Sequence, residues 1–297
     1  MATGFTSVDL SRLPAPTVVE VVDFETILAA MLADLQARDP NFTALVESDP
    51  AYKILEVCAY REMLIRERVN TAAQAVMLAY ARGADLDQLG ALLGTARHTL
   101  DPGNSDEGVA PTMESDEDFR RRIQLAPDGF SVAGPESAYV FHALSANADV
   151  LDASATSPSP GEVVVPILSR TGNGTASPAL LDHVDQALAS DDVRPMTDHV
   201  TVQSAEIVPY NVMATVFTFA GPDSSVVLSE ANTRLSRYIE ESHWLGRDVP
   251  LSGLYAALHV DGVQRVELTE PLVDVVIGRT QASHCTGVTI TYGGVDE

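Results

Sequence analysis

The sequence predicts an α+β protein: an N-terminal all-helical region with one long helix, followed by two small α+β domains with helix-plus-hairpin units. Three observations predict it. Residues 49–83, DPAYKILEVCAYREMLIRERVNTAAQAVMLAYARG, contain no glycine or proline between the pair that opens them and the glycine that closes them. Beyond residue 135, helical stretches opened by proline or by Ser-Pro alternate with runs of period-two hydrophobicity. Two of the later stretches also share a plan, a helix followed by a strand, a proline and a second apolar run. The expected organisation is an extended N-terminal arm over 1–21, a helical bundle domain over 22–100, an acidic linker over 101–114, a middle α+β domain over 115–207 and a C-terminal α+β domain over 208–297.

In chain order, Pro14 and Pro16 make the start an extended arm. Asp23 then caps FETILAAMLADLQAR, in which Phe24, Ile27, Leu28, Met31 and Leu35 share one face. In the long helix, Asp49 offers a side-chain oxygen to the free amides of the first turn, and Pro50 suits a position that needs no amide hydrogen. Gly83 can take the left-handed conformation that closes a helix. Roughly 33 residues at about 1.5 Å each give a rod of about 50 Å. Ile54, Cys58, Ile65, Val69, Ala72, Val76 and Tyr80 follow steps of three, four or seven and form one stripe. Residues 61–70 are strongly charged off that stripe, and from 72 to 81 nearly every residue is apolar and many are small. Two covers suit such a helix: the core of its own domain, or a bundle shared among chains. Asp85 then starts a short helix that ends at Gly94.

Residues 101–119 hold seven acidic residues and no basic one. Glycine, proline, asparagine and serine make the first part a linker or exposed loop. Ser115 reads as an N-cap with Asp116, Glu117 and Asp118 in the first turn, where negative charge suits the helix dipole. Arg120, Arg121 and Arg122 follow, either on a capped surface helix or as a cluster facing an acidic partner. Pro135 opens the next helix, which leads into a hairpin of VLDASATS and EVVVPILS. A helix from Ser177 and Pro178, the strands HVTVQSAEIV and YNVMATVFTF, and a helix over about 225–242 complete the middle. From Pro250 the plan recurs: a helix, a strand at Val263, Pro271 and the run 275–277.

At 297 residues, 45% hydrophobic and 20% charged, the chain has the composition of a folded protein. Its net charge is -24, from 42 acidic against 18 basic residues, and Lys53 is the only lysine. Such a surface repels phosphate, which argues against direct nucleic-acid binding and against anionic membranes. No apolar run is long enough for a membrane span, and the start lacks the pattern of a signal peptide. Cys58 and Cys285 lie too far apart in sequence to suggest a disulfide framework.

Catalytic patterns are weak. His284 and Cys285 are adjacent, so on a strand they point to opposite faces. The histidines show no metal-binding spacing, and His142 reads as a core or boundary residue. RTGNGT at 170–175 lacks the lysine of a phosphate loop. No catalytic, cofactor-binding or metal-ligating residue is assigned, and no cofactor is implied.

Several long phrases, taken together and in order, resemble one family. They are LPAPTVVEVVDFETILAAMLADLQARDP, SDPAYKILEVCAYREMLIRERVN, AVMLAYARGADLDQLGALLG, SDEDFRRRIQLAPDGFSVAGP, SATSPSPGEVVVPILSRTGNG, DVRPMTDHVTVQSAEIVPY and LYAALHVDGVQRVEL. The chain resembles the baseplate assembly protein J family of contractile-tailed phages and phage-tail-like particles from about residue 13 to its end. The resemblance implies a structural subunit in the virion tail baseplate, made in the host cytoplasm during assembly, forming wedges and the inner ring around the hub. It implies a second copy of the chain in each wedge, a helix of a tail protein I-type wedge protein bundled with both, a lysozyme-like sheath initiator protein nearby, and neighbouring wedges in the ring. Rearrangement of the wedges would trigger sheath contraction. The chain lacks an insertion the size of a fibre-holding domain, so direct fibre attachment is not implied. A soluble hydrolase-like enzyme with a site invisible in sequence, and a transient assembly chaperone, are the alternative readings.

Overall fold

A computed structural model describes residues 10, 13, 16–42, 45–131, 133–190, 193–221 and 223–296. Most of the expected arm, residues 1–9, 11, 12, 14 and 15, lies outside the described residues. The fold is α+β with an N-terminal helical region, as the sequence predicts. The chain forms two compact units, one ending at Ala96 and the other beginning at Arg97.

The first unit is helical. Asp23 accepts from the Thr26 amide at 2.8 Å and starts α1 (Phe24–Arg38). α2 (Pro50–Ala75) follows, and Ile27 and Leu28 of α1 are buried against Ala59 of α2, with Phe24, Met31, Leu32, Tyr52, Leu55 and Met63 around them. Two expectations at the ends of α2 need correction. The Asp49 carboxylate makes no cap bond to the first turn; it turns back to accept from the Val46 amide at 2.9 Å. The helix also stops at Ala75, not at Gly83. The amides of Met77, Tyr80 and Ala81 bond to Gln74 and Met77 carbonyls in a tight turn, and the turn places Ala81 and Leu86 in the interior. Burial decides this end, because local propensity in 76–82 favours continuing the helix. Gly83, at φ +50°, instead opens α3 (Gly83–Leu92), which therefore starts before Asp85.

Asn70 is buried on α2 and holds the approaching chain. Its side-chain oxygen accepts from the Glu20 amide at 3.1 Å, and its side-chain nitrogen donates to the Glu20 carbonyl at 2.8 Å. Arg66 reaches Glu62 at 2.6 Å and Glu20 at 3.2 Å. Part of the charged middle of α2 is thus satisfied within its own unit.

The second unit opens with a hairpin of β1 (Thr99–Asp101) and β2 (Thr112–Met113), with a single 3-10 turn between them. The segment expected as a plain acidic linker thus has its own backbone ladder, closed by mutual bonds between Asn104 and Val109. α4 (Asp116–Gly129) is capped by Ser115, whose hydroxyl accepts from the Asp118 amide at 3.1 Å. Two of its arginines, Arg121 and Arg122, are engaged within this unit. Arg122 forks onto Glu114 through bonds of 2.8 and 2.6 Å, the pair being 5% and 1% exposed. Arg121 reaches Asp152 at 2.6 Å and lies over the Trp244 ring. Arg170 and Arg97 close the first turn of α4, on Asp118 at 2.7 Å and Asp116 at 2.8 Å.

α5 (Glu136–Ala146), β3 (Val150–Ala153), β4 (Glu162–Ser169), α6 (Pro178–Leu188) and β5 (His199–Ser204) follow. β3 and β4 form the expected antiparallel hairpin, and β5 joins β4 in parallel. Tyr139, Ala143 and Leu144 of α5 and Leu180, Val184 and Leu188 of α6 cover Val165 and Ile167. After Ala205 the chain passes directly into β6 (Glu206–Thr218), the centre of a second sheet. α7 (Ser224–Ser242), α8 (Leu251–Leu258), β7 (Val263–Glu270) and β8 (Gln281–Val295) complete it in the order β7-β6-β8.

The second helix-plus-hairpin unit differs from expectation. β7 pairs with β6 and not with β8, and the run 275–277 is a crossover. Val275 exchanges both backbone bonds with Val249, and the Ile277 amide bonds to Asp248 at 2.6 Å. That pinning carries the chain past the end of β6 and delivers β8 to its far edge, parallel to β6. Val212, Ala214 and Val216 of β6 lie under Leu235 and Ala231 of α7 and Leu254 and Leu258 of α8. The two sheets share Leu168, Ala205 and Ala282.

Burial would raise the pKa of Glu114, but hydrogen bonds from Arg122 and from the His98 amide, with the Arg122 charge, hold it below the usual 4.5. Its contribution is present above the unfolded value and lost as pH falls through the lower folded value. His98 and His142 are held below 6.5, chiefly by burial. Folding therefore favours their neutral forms, and acidification below 6.5 weakens the fold. Replacing Arg122 with Met is expected to cost about 3–5 kcal/mol by leaving Glu114 buried and unpaired. Urea unfolding should show that deficit near neutral pH and a narrower one at about pH 4, where the orphaned carboxyl protonates readily.

Candidate functional site

The outward side of α2 carries a row of exposed apolar residues. A helix of 3.6 residues per turn places Ile54, Cys58, Ile65, Val69, Ala72 and Val76 within about 60° of arc. The face that meets α1 lies well round the cylinder from them, at Leu55, Ala59 and Met63. All six stripe residues are exposed, with Ile54 at 63%, Ile65 at 65% and Val76, just past the helix end, at 70%. Tyr80, the seventh, is separate: it lies in the turn after the helix, half-buried, with its hydroxyl donating to the Leu13 carbonyl at 3.3 Å. α2 therefore carries two apolar faces, and its own unit covers one.

The stripe leaves out three neighbours. Val57, Tyr60 and Leu64 are also exposed and widen the strip on one flank; they follow from Ile54 by steps of three, three and four, so the spacing itself held the signal. Arg61 and Arg68 project from the same side and are exposed, and exposed Lys53, paired with Glu56, lies on the flank with Tyr60 and Leu64, so the strip is apolar with three cationic points along it. Large exposed apolar surfaces are uncommon on isolated soluble domains, which makes this strip the candidate site.

Catalytic chemistry finds little support in the geometry. Cys285, on β8 opposite Tyr210 of β6, packs against the core, its thiol donates to the Gly287 carbonyl at 3.3 Å, and burial raises its pKa, which disfavours the thiolate. His284 meets the His243 ring edge-on at 5.8 Å. His142 bonds to the Gly129 carbonyl at 3.1 Å. RTGNGT is a turn in which Gly172 and Gly174 have φ of +65° and +96°, and a side chain at Gly174 would meet Leu168 and His243. Among the described residues, no group of three or more metal-ligating side chains is gathered, and no helix is long and apolar enough to cross a membrane.

Comparison with known proteins places this surface in context. Residues 47–104 match the baseplate J-like N-terminal domain, 131–204 the baseplate J-like central domain and 210–291 the C-terminal domain of baseplate J-like proteins. Baseplate protein J of Escherichia phage P2 is 51% identical over 300 residues, spanning 98% of this chain and 99% of that one. The chain belongs to the baseplate J-like family. Among solved structures, a chain of the anti-feeding prophage baseplate, determined by electron cryomicroscopy with six-fold symmetry applied, aligns at a TM-score of 0.39 and 15% identity. That alignment covers 60% of this chain and 43% of the other. This baseplate J-like chain is a structural subunit of the virion tail baseplate, and it assembles with other baseplate proteins.

If the outward strip lies outside the fold of its own unit, charge placed there should leave that unit stable. Val69→Asp with Val76→Asp is expected to change stability by no more than about 0.5 kcal/mol per site. Ala59→Asp, at the α1 contact, should unfold the helical unit because it buries an unpaired carboxylate. Circular dichroism melts of the three chains check this.

Proposed function

We propose that the chain is a baseplate wedge subunit, and that the outward strip of α2 is the surface on which the wedge is assembled. The observation that carries the proposal is the second apolar face of α2, uncovered within its own unit. Ile54, Cys58, Ile65, Val69, Ala72 and Val76, with Arg61 and Arg68 beside them, would lie against the same helix of a second copy and a helix of the tail protein I-type wedge protein. Knobs spaced at three and four residues suit near-parallel helices. The two arginines would meet acidic side chains, which a partner of the same charge character supplies in abundance.

In this reading the helical part, 22–100, builds the wedge. The middle and C-terminal parts, 115–207 and 208–297, link neighbouring wedges into the inner ring around the hub, near a lysozyme-like sheath initiator protein. Assembly takes place in the host cytoplasm, and a rigid-body shift of the wedges starts sheath contraction. The function lies in interfaces and uses no catalytic group. Tyr80 takes no part in the strip, since its hydroxyl is engaged with Leu13.

Co-purification with the I-type protein tests the bundle. Val69→Asp with Val76→Asp is expected to abolish the complex while the chain stays folded, since a charge buried without a partner costs several kcal/mol. Complex formation at wild-type strength would remove the strip from the wedge. Mass spectrometry of purified particles should find the chain as a stoichiometric component; its absence would make it a transient chaperone.

A further inference from the structure

The sheet β7-β6-β8 has two outer strands, and they are built differently. β7 carries Arg265, Glu267 and Glu270 and runs into Pro271, the devices that keep a foreign strand from adding to an edge. β8 has none of them: Gln281–Val295, fifteen residues, contains no aspartate, glutamate, lysine, arginine or proline. Its register with β6 shifts between Cys285 and Gly287 and again between Tyr292 and Gly294, leaving 287–292 as a regular stretch.

Within that stretch Val288, Ile290 and Tyr292 stand opposite Val212, Ala214 and Val216, all three buried under the helices. Yet Val288 is 38% exposed and Tyr292 44%. Cys285 and Ile290 of β8 pack against the helix layer, whereas Val288 and Tyr292 are left largely uncovered by it. Two copies of a chain with net charge -24 repel each other where their acidic surfaces approach. The uncharged β8 edge, like the apolar strip of α2, is free of that repulsion.

We propose that residues 287–292 of β8 pair with the same strand of a second copy, antiparallel, about a two-fold axis at Ile290. A two-fold pairing brings each residue opposite its mirror in the register. Val288 of one copy then faces Tyr292 of the other, Thr289 faces Thr291, and the two Ile290 side chains meet. These are aromatic to β-branched, threonine to threonine and aliphatic pairs, the combinations that stabilise neighbouring strands, and each stays on its own face of the joined sheet. The partner strand also covers the exposed sides of Val288 and Tyr292. The inference names the contact by which C-terminal halves join, so it rests on the ring reading above.

Disulfide trapping tests the register. In a full-length chain with Cys58→Ser, Thr289→Cys together with Thr291→Cys is expected to give a covalent dimer on a non-reducing gel after oxidation. The parent, which keeps Cys285, should stay monomeric, as should Thr269→Cys on β7 and Thr289→Cys alone. No dimer from the double variant, or as much from either single one, overturns the proposal. Sedimentation separates this contact from the helical one. In a chain carrying Val69→Asp and Val76→Asp, self-association should persist and be lost on adding Thr289→Lys and Thr291→Lys, with an unchanged melting temperature. Complete loss before the lysines are added overturns the edge pairing and leaves the helical bundle standing; persistence after they are added overturns it as well.

Discussion

The buried fork between Arg122 and Glu114 is the constraint on which the larger unit depends. Two charges taken out of water are tolerated only when geometry and further hydrogen bonds satisfy them, and here both conditions hold. The Glu114 carboxylate also accepts from the His98 amide at 3.1 Å, and its carbonyl accepts from Arg97 at 2.7 Å. The Arg97 and Arg122 guanidinium groups both lie over the Phe119 ring, at 4.7 and 5.5 Å. The β1–β2 hairpin, the start of α4 and, through the His98 bond to the Leu144 carbonyl, the end of α5 are thereby fixed to one another. From α4 the same logic extends outward. Arg121 holds Asp152 of β3, and the other oxygen of Asp152 takes the Leu245 amide at 3.1 Å, tying the first sheet to the segment between α7 and α8.

A structural subunit benefits from such ties. Hydrophobic burial alone is non-directional, whereas bidentate ion pairs fix angles. In the helical unit the directional element is smaller: Asn70 clamps both backbone groups of Glu20, and Arg66 joins Glu20 to Glu62. The strand that leaves β5 and becomes β6 at Ala205 couples the two sheets in the same spirit, since one extended segment belongs to both.

Much of the candidate site was legible. The stripe from Ile54 to Val76 follows from spacing, and its residues do share one face. What spacing could not tell was which of the two apolar faces of α2 the chain itself would use. Leu55, Ala59 and Met63 are no more hydrophobic than Ile54, Val69 and Val76, and only the position of α1 chooses between them. Tyr80 was misplaced on the stripe because nothing local ends the helix at Ala75. The fate of Arg121 and Arg122 was equally hidden, since their partners Asp152 and Glu114 are recognisable only once the strands and hairpin are in place.

The sequence by itself determined the order and type of nearly every element, the caps at Asp23 and Ser115, the long amphipathic α2 and the family to which the chain belongs. These are properties of nearby residues, set by periodicity, capping and turn chemistry. Tertiary structure alone decided that β7 pairs with β6 and leaves β8 as an uncharged edge, that α2 turns at Ala75, and that Arg121 and Arg122 of α4 pair with Asp152 and Glu114. Each of these outcomes depends on which distant surface comes into contact, and local spacing carries no information about that.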